Sequence, residues 1–278
     1  MPKKYSPGGW DWNKEDRSAI ARLPSDRVML PMKGTFEEIR FWPLDVGVIK
    51  REDQSSQGAC AGHSASTIAE WVRTLATGKL GWQGSRAAAY YETQRLDGIN
   101  GDNGSTIQNG VRLLMDWGLP PEALWPYPSR YNNRRPSNFD TVTAAAGKNR
   151  IATSLNVKTY EGGRIFLGSG QGGIHIGIGW NSSVNRGLVE SYSSGGSGGH
   201  AIAALCLSKR LDQGGEPYWW IFNSWTKRWG QNGCAEWSPT AIRQMLRDRR
   251  TVMIGMSDMP TQKPRKFSAE DWKRALAA

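Results

Sequence analysis

Thiol and imidazole side chains are scarce in this chain. Three cysteines (Cys60, Cys206, Cys234) and three histidines (His63, His175, His200) allow nine pairings among 278 residues. Any nucleophilic thiol served by an imidazole base must be one of those nine. Cys60 stands in Asp53-Gln-Ser-Ser-Gln-Gly-Ala-Cys60-Ala-Gly-His63, where a loop gives way to a helical pattern. Free backbone N–H groups and the positive end of the helix dipole favour a thiolate at such a place. His200 follows Ser197-Gly-Gly and opens the run Ala-Ile-Ala-Ala-Leu, so its ring can project from the start of a strand. Asn223 ends Trp219-Trp-Ile-Phe and is followed by Ser224-Trp225 and by Trp229-Gly-Gln-Asn-Gly233. Each residue alone has a plainer reading: the cysteine as a small buried hydrophobe, the histidine as a backbone-bonded loop residue, the asparagine as a turn former. Together they run in the order Cys, His, Asn, with 140 residues from Cys60 to His200 and 163 from Cys60 to Asn223. That set reads as a nucleophile, its base and an amide that holds the imidazole. Cys206 and Cys234 read as strand packing. His63, one turn beyond Cys60, and His175, opposite a row of isoleucines, read as structural.

These residues need elements to hold them. Ile68, Trp71, Val72 and Leu75 fall on one face of a helix that starts near Cys60 and stops at Gly78. Helices are also expected over 87–96 and 107–117, before Leu119-Pro-Pro and Trp125-Pro-Tyr-Pro break regular structure. Further on, Ile174, Ile176, Ile178 and Trp180 alternate with His175, Gly177 and Gly179, which is the period of a strand. Gly187-Leu-Val-Glu-Ser-Tyr, Ala201 to Cys206, Tyr218 to Asn223 and Arg250 to Met256 give four more strands. Short strands are expected at 36–42 and 46–49, and a short helix at 268–278. A helical half followed by a β half, without βαβ alternation, argues for an α+β fold of two lobes. The boundaries are an N-terminal arm over 1–53, a domain over 54–255 (helical lobe 54–139, β lobe 140–255) and a basic tail over 256–278. Trp10 and Trp12 lie outside that domain and are expected to anchor the arm.

Composition removes several classes. No apolar run approaches the ~18 residues needed to cross a bilayer, and no apolar stretch follows the charged N-terminus, so neither a membrane span nor a secretory signal is expected. The expectation is a cytoplasmic protein, or one carried in a virion. Three widely spaced cysteines suit neither a disulfide framework nor a CxxC zinc site, and no metal or cofactor is expected. Gly168-Ser-Gly170-Gln-Gly172-Gly173 matches GxGxxG, but a strand follows it where the dinucleotide fold needs a helix. The net charge is +11. Arg243, Arg247, Arg249, Arg250, Lys263, Arg265 and Lys266 make the C-terminal end basic, which reads first as a solvated face and second as a surface for an acidic protein partner or virion assembly. No nucleic-acid-binding motif accompanies it.

The three segments also resemble the papain-like (C1) cysteine peptidase family. The resemblance rests on Asn223-Ser-Trp225 followed by Trp229-Gly-Gln-Asn-Gly233, on Gly199-His200-Ala201, and on Gln54 six residues before Cys60. Asp102-Asn-Gly104-Ser and Trp125-Pro-Tyr127 look like the family's cleft segments, so the resemblance spans about 54–255. It implies a helical N-terminal lobe, an antiparallel β-barrel-like C-terminal lobe and a cleft between them. It further implies endopeptidase activity on a protein or peptide substrate through a thioester. Cys60 and His200 would rest as thiolate and imidazolium, Asn223 would orient the ring, and Trp225 would shield that contact. Gln54 would donate to the oxyanion, and Gly104 would pair with substrate backbone. The chain departs from the usual pattern in Cys60-Ala-Gly-His63, in Gln57 where a disulfide cysteine is usual, and in Thr226 where glycine is usual. No long inhibitory propeptide is expected. These features look more like bacterial and bacteriophage members of the family. Two other readings share the Cys-then-His order or the fold: a peptidoglycan-cleaving hydrolase, and a papain-fold structural or assembly protein of a phage virion.

Overall fold

The computed structural model describes residues 9–23, 38–41, 50–193, 195 and 198–258. After a short arm helix α1 (Arg17–Arg22), capped by Asp16 accepting the Ala19 N–H at 2.9 Å, three helices build one lobe. Helix α2 (Cys60–Thr77) ends where Gly78 turns left-handed at φ 68°. Helices α3 (Arg86–Asp97) and α4 (Ile107–Asp116) are each opened by a hydroxyl, Ser85 and Thr106, that accepts a first-turn N–H. All three lie where the apolar spacing places them. Of the expected strand at 36–42, residues 38–41 are described and carry a single isolated bridge, Arg40 with Leu207; the strand at 46–49 and the helix at 268–278 lie outside the described residues.

Helix α5 (Phe139–Ala146) and helix α6 (Tyr160–Gly168) lead into the second lobe, with strand β1 (Thr153–Asn156) between them. Strands β2 (Gly173–Trp180), β3 (Leu188–Val189), β4 (Gly198–Leu211), β5 (Pro217–Phe222) and β6 (Cys234–Trp237) follow. Helix α7 (Pro239–Arg247) and strand β7 (Val252–Ser257) complete it. The glycines at 168–173 thus join a helix to a strand, the reverse of a dinucleotide-binding turn. The seven strands form one sheet in the order β1-β7-β2-β4-β5-β6-β3. The architecture is the α+β, two-lobe one expected. The sheet, however, is open rather than barrel-like: the short strands β1 and β3 are its edges, and β3 pairs with β6 in parallel.

Both sheet faces are covered, so β2 and β5 are buried throughout. On one face Ala201, Ala203 and Leu205 of β4 join Ile68, Trp71 and Leu114 of the helical lobe. On the other Ile174, Ile176 and Ile178 pack with Trp219, Trp237, Phe166 and Ile242. His175, opposite the isoleucines, bonds through Nδ1 to Ser64 Oγ of α2 at 2.8 Å, and burial pushes its pKa down to about 3. The basic C-terminal set is partly neutralised within the fold. Arg243 reaches Glu161 at 2.6 Å and Glu216 at 2.7 Å, and Arg250 reaches Asp248 at 3.2 Å. Lys263, Arg265 and Lys266 lie outside the described residues.

Between α2, α3 and the segment leading to Cys60 lies a buried ionic cluster. Arg86, 2% exposed, pairs with Glu52, with Glu70 at 2.8 Å and with Glu122 at 3.7 Å. Burial, assisted by Glu52, pushes the Glu70 carboxyl up to about 8 against the pull of Arg86. Removing one member of such a set leaves the others buried without compensation. Arg86→Met is therefore expected to lower unfolding free energy by about 3–5 kcal/mol in denaturant titration; a loss under about 1 kcal/mol would show the cluster to be solvated.

Candidate active site

The residues singled out by type and spacing converge where the N-terminus of α2 meets the start of β4. Cys60 is the first residue of α2, and its Sγ accepts the Ala201 N–H at 3.3 Å. Ala201 is the neighbour of His200 on β4. The His200 ring bonds through Nε2 to Asn223 Oδ1 at 2.8 Å. The same Oδ1 accepts the Ser224 backbone N–H at 2.7 Å, which fixes it as an acceptor. Nε2 must then carry the ring's proton in the neutral form, and the Nδ1 lone pair is left free to take one. Among the described residues Nδ1 has no hydrogen-bond partner. The ring is boxed by Trp225, centroids 4.6 Å apart, and by Trp180 at 4.5 Å. Trp225 takes the expected place; Trp180 stands out in the sequence only as the last residue of an alternating strand.

Gln54 lies in the loop before the thiol's helix and is 1% exposed. Its Oε1 accepts from Ser224 Oγ at 2.5 Å and from the Trp225 indole N–H at 3.2 Å. An indole nitrogen only donates, so the amide cannot be turned round, and Nε2 is the group presented to the loop before Cys60, where it donates to the Gln57 carbonyl at 2.9 Å. Backbone pairing of Gln54 with Ser224 at 2.9 Å and of Thr226 with Glu52 at 2.8 Å sews this loop to the segment carrying Asn223. Thr226 holds a left-handed φ of 61° at this seam. Tyr91 donates to Gln57 Oε1 at 2.9 Å, Gln57 Nε2 donates to the Pro128 carbonyl at 2.8 Å, and the Gly58 N–H reaches Asp102 Oδ1 at 2.8 Å.

The feature that sequence reasoning missed is what covers the site. The arm lies over the site, held by an isolated parallel bridge between Trp10 and Ser105: Ser105 donates to the Gly9 carbonyl at 3.1 Å and accepts from the Asp11 N–H at 3.3 Å. The ladder runs through Ser105 rather than the expected Gly104, because the Gly104 N–H and carbonyl are taken by Tyr90 and Gln94. The Gly9 N–H points at Cys60 Sγ. Trp10, 2% exposed, is as deeply anchored as expected, whereas Trp12 is 38% exposed. The Trp10 indole donates to Glu15 Oε1 at 2.7 Å, and Glu15 also accepts the Ile107 and Gln108 N–H groups that open α4. No periodicity announces this segment, since each of these contacts except that between Trp10 and Glu15 spans most of the helical lobe in sequence.

Burial works against the electrostatics expected of the pair. It pushes the Cys60 thiol up to about 12, overriding the N–H groups of Ala201, Ala61, Cys60 and Gly9, and it pushes His200 down to about 4 despite Asn223. Both shifts disfavour the thiolate–imidazolium form of the covered pair. No group of residues suited to a metal ion occurs among the described residues, and no described helix is long and apolar enough to cross a membrane.

A cysteine at a helix N-terminus, a histidine on the facing strand and an asparagine fixing its tautomer, set between a helical lobe and a sheet, define a thiol-hydrolase type of site. Residues 44–243 match the model of the papain family cysteine protease, and the chain belongs to that family. It is 26% identical over 246 residues to cathepsin F of Drosophila melanogaster, covering 80% of this chain and 36% of that protein. It is 28% identical over 219 residues to the probable cysteine protease RD19D of Arabidopsis thaliana, covering 69% and 54%. The chain thus spans about a third to just over half the length of these relatives. Among solved structures the fold is that of xylellain, a cysteine protease from Xylella fastidiosa, with TM-score 0.64, 16% identity and coverage of 94% of this chain and 100% of that one. The proform of the ragweed pollen allergen Amb a 11 cysteine protease matches with TM-score 0.67, 15% identity and coverage of 90% and 74%.

Two outcomes follow for the covered thiol. A Cβ on Gly9 would collide with the Gly58 carbonyl and lie 2.7 Å from Cys60 Sγ, so Gly9→Ala is expected to unseat the arm. Cys60 alkylation by iodoacetamide should then accelerate at least ~10-fold, the effect of ~1.4 kcal/mol lost from docking; an unchanged rate contradicts this seat. Burial, helped by Asp97 and opposed by its three N–H donors, raises Glu15 to about 7. A carboxyl raised on docking favours the docked arm at low pH, and that preference is lost as pH climbs from its free value through about 7. The ratio of Cys60 labelling rates, wild type over Glu15→Gln, should rise across that range, since the thiol's own titration cancels; a flat ratio contradicts it.

Proposed function

We propose that the chain is a cysteine endopeptidase working through Cys60, His200 and Asn223, with its cleft plugged by its own arm until that arm moves. The observation that carries this reading is the Asn223 carbonyl. By accepting both the Ser224 and His200 protons it leaves the imidazole with a basic Nδ1 beside the residue that touches the Cys60 sulfur. With the arm displaced, a peptide lies extended along Ser105 in its place. The Cys60 proton passes to His200 Nδ1 as sulfur attacks the scissile carbonyl. The oxyanion is met by the Cys60 N–H and the Gln54 side-chain amide. His200 returns its proton to the leaving amine, and the thioester remains. Water then adds with His200 as base, the acid leaves and the thiol is restored.

A mechanism-based epoxysuccinyl inhibitor should add once to the Gly9→Ala protein, at Cys60, and not to the same protein carrying Cys60→Ala; an adduct independent of Cys60 sinks the reading. On a peptide substrate Gln54→Ala is expected to lower kcat by about 10²–10³ with KM nearly unchanged, as removal of an oxyanion donor does. A loss confined to KM would instead make Gln54 a binding residue.

A further inference from the structure

Segment 125–138 contains no helix or strand, yet helix α3, its cap and the loop before Cys60 pin it along its length. The Trp125 carbonyl accepts from Ser85 Oγ at 2.5 Å, the Tyr127 hydroxyl donates to the Gln54 carbonyl at 3.1 Å, and Gln57 holds the Pro128 carbonyl. The Tyr131 hydroxyl donates to Gln94 Oε1 at 3.0 Å, and the Asn132 N–H donates to the Tyr91 hydroxyl at 3.2 Å. Arg135 grips Glu92 through Nε at 2.9 Å and Nη2 at 2.7 Å, and lies 4.2 Å over the Phe139 ring. Ordering an irregular segment costs conformational entropy, and what this one holds in place is charge. It carries Arg130, Arg134 and Arg135 and no aspartate or glutamate. Arg95 of α3 joins them, donating to the Asn133 carbonyl and pairing with Glu92 at 2.6 Å. Glu92 is thus shared by Arg95 and Arg135, while Asp102 accepts from Tyr90 and the Gly58 N–H. Arg130 and Arg134 are exposed, and neither has an ion pair among the described residues. Through Gln54 and Gln57 the segment is tied to the loop that carries Cys60, so these arginines rim the approach to the thiol.

We propose that this arginine rim docks an acidic stretch of the protein substrate, outside the residues that enter the cleft. The inference rests on the peptidase reading of the neighbouring site. The guanidinium fork matches a carboxylate, and a backbone already pinned gives up little freedom when Arg130 and Arg134 are engaged. Nucleic acid fits the rim less well, because the rings that could stack on bases are committed: Tyr127 and Tyr131 are half-buried with their hydroxyls bonded, and Phe139 lies under Arg135. In the basic C-terminal set, by contrast, Arg243 and Arg250 are already paired within the fold.

Docking is read apart from catalysis in full-length Cys60→Ala protein, by fluorescence anisotropy of labelled octaglutamate and octaglutamine. Octaglutamate should bind at least ~10-fold more tightly at low salt and lose that advantage as salt rises. Arg130→Gln with Arg134→Gln should abolish the difference. Arg247→Gln with Arg249→Gln, an equal change of charge on the other lobe, should leave it. All four side chains are exposed, so both double variants keep the fold. In the Gly9→Ala protein, a peptide extended by four glutamates should show a KM at least ~5-fold below that of its glutamine-extended twin, with kcat unchanged and the effect lost in the rim variant. Equal binding of the two octapeptides, or equal losses in both double variants, overturns the rim while leaving the peptidase standing. Octathymidylate bound through Arg130 and Arg134 more tightly than octaglutamate overturns it in favour of a nucleic-acid partner. Octaglutamate binding with no cleavage of either extended peptide overturns the peptidase reading, and the rim's role toward a substrate with it.

Discussion

Helix α2 is buried on almost every face, and the rest of the structure answers to that constraint. Fifteen of its eighteen residues are buried, including His63, Ser64, Ser66, Thr67, Glu70 and Thr74. Polar groups inside a protein cost free energy unless they find partners, so the neighbours of α2 are chosen by what it carries. Glu70 accepts the Gly84 N–H and draws in Arg86, which brings Glu52 and hence the segment before Gln54. Ser64 takes His175 from the sheet. Apolar packing presses the sheet onto the helix, and these polar pairs set where along it each strand sits. The position of Cys60 at the helix N-terminus is the outcome: its sulfur has to meet β4 at Ala201.

The same burial sets the terms of the chemistry. A thiolate–imidazolium pair needs solvent or fixed dipoles, and under the arm Cys60 and His200 have too little of either to stay charged. The helix N-terminus offers N–H groups to the sulfur, yet desolvation outweighs them. Covering the site therefore hides the Cys60 sulfur and also disfavours its thiolate. The His200–Asn223 geometry, by contrast, is walled by Trp180 and Trp225.

How much of this the sequence discloses depends on the range of the interactions. Helix α2 is readable because Ile68, Trp71, Val72 and Leu75 repeat at its own period and Gly78 stops it. Strand β2 is readable because its isoleucines alternate. The chemistry-bearing residues are readable from type and order, and Gln54, His200 and Asn223 do gather around the N-terminal end of α2. Three features are hidden because their causes lie far apart in the chain. The open sheet follows from its two short edges: β3 falls within the strand expected from 187, but no pattern of 4 or 2 residues announces β1. The Arg86 cluster joins four segments. The docking of Gly9 and Trp10 depends on Ser105, Gly177 and Gly199, and a Gly-Gly-Trp sequence near a terminus carries no trace of them.

Gln57 shows how the fold holds the nucleophile's loop without the disulfide usual at that position. Its amide oxygen and nitrogen are both used, on Tyr91 and the Pro128 carbonyl, and the next N–H is held by Asp102. Asp102 also accepts from Tyr90, whose hydroxyl in turn takes the Gly104 N–H, so one carboxylate spans from the Cys60 loop to the strand on which the arm lies. A disulfide would restrain the loop chiefly by limiting the unfolded chain, and it would fail in a reducing environment. Hydrogen bonds act in the folded state alone and survive there. They also differ in reach: a disulfide fixes two points, whereas the Gln57–Asp102–Tyr90 network ties the loop before the thiol to the paired edge of the cleft. Placement of Ser105, against which the arm lies, and of Cys60 are then parts of one framework.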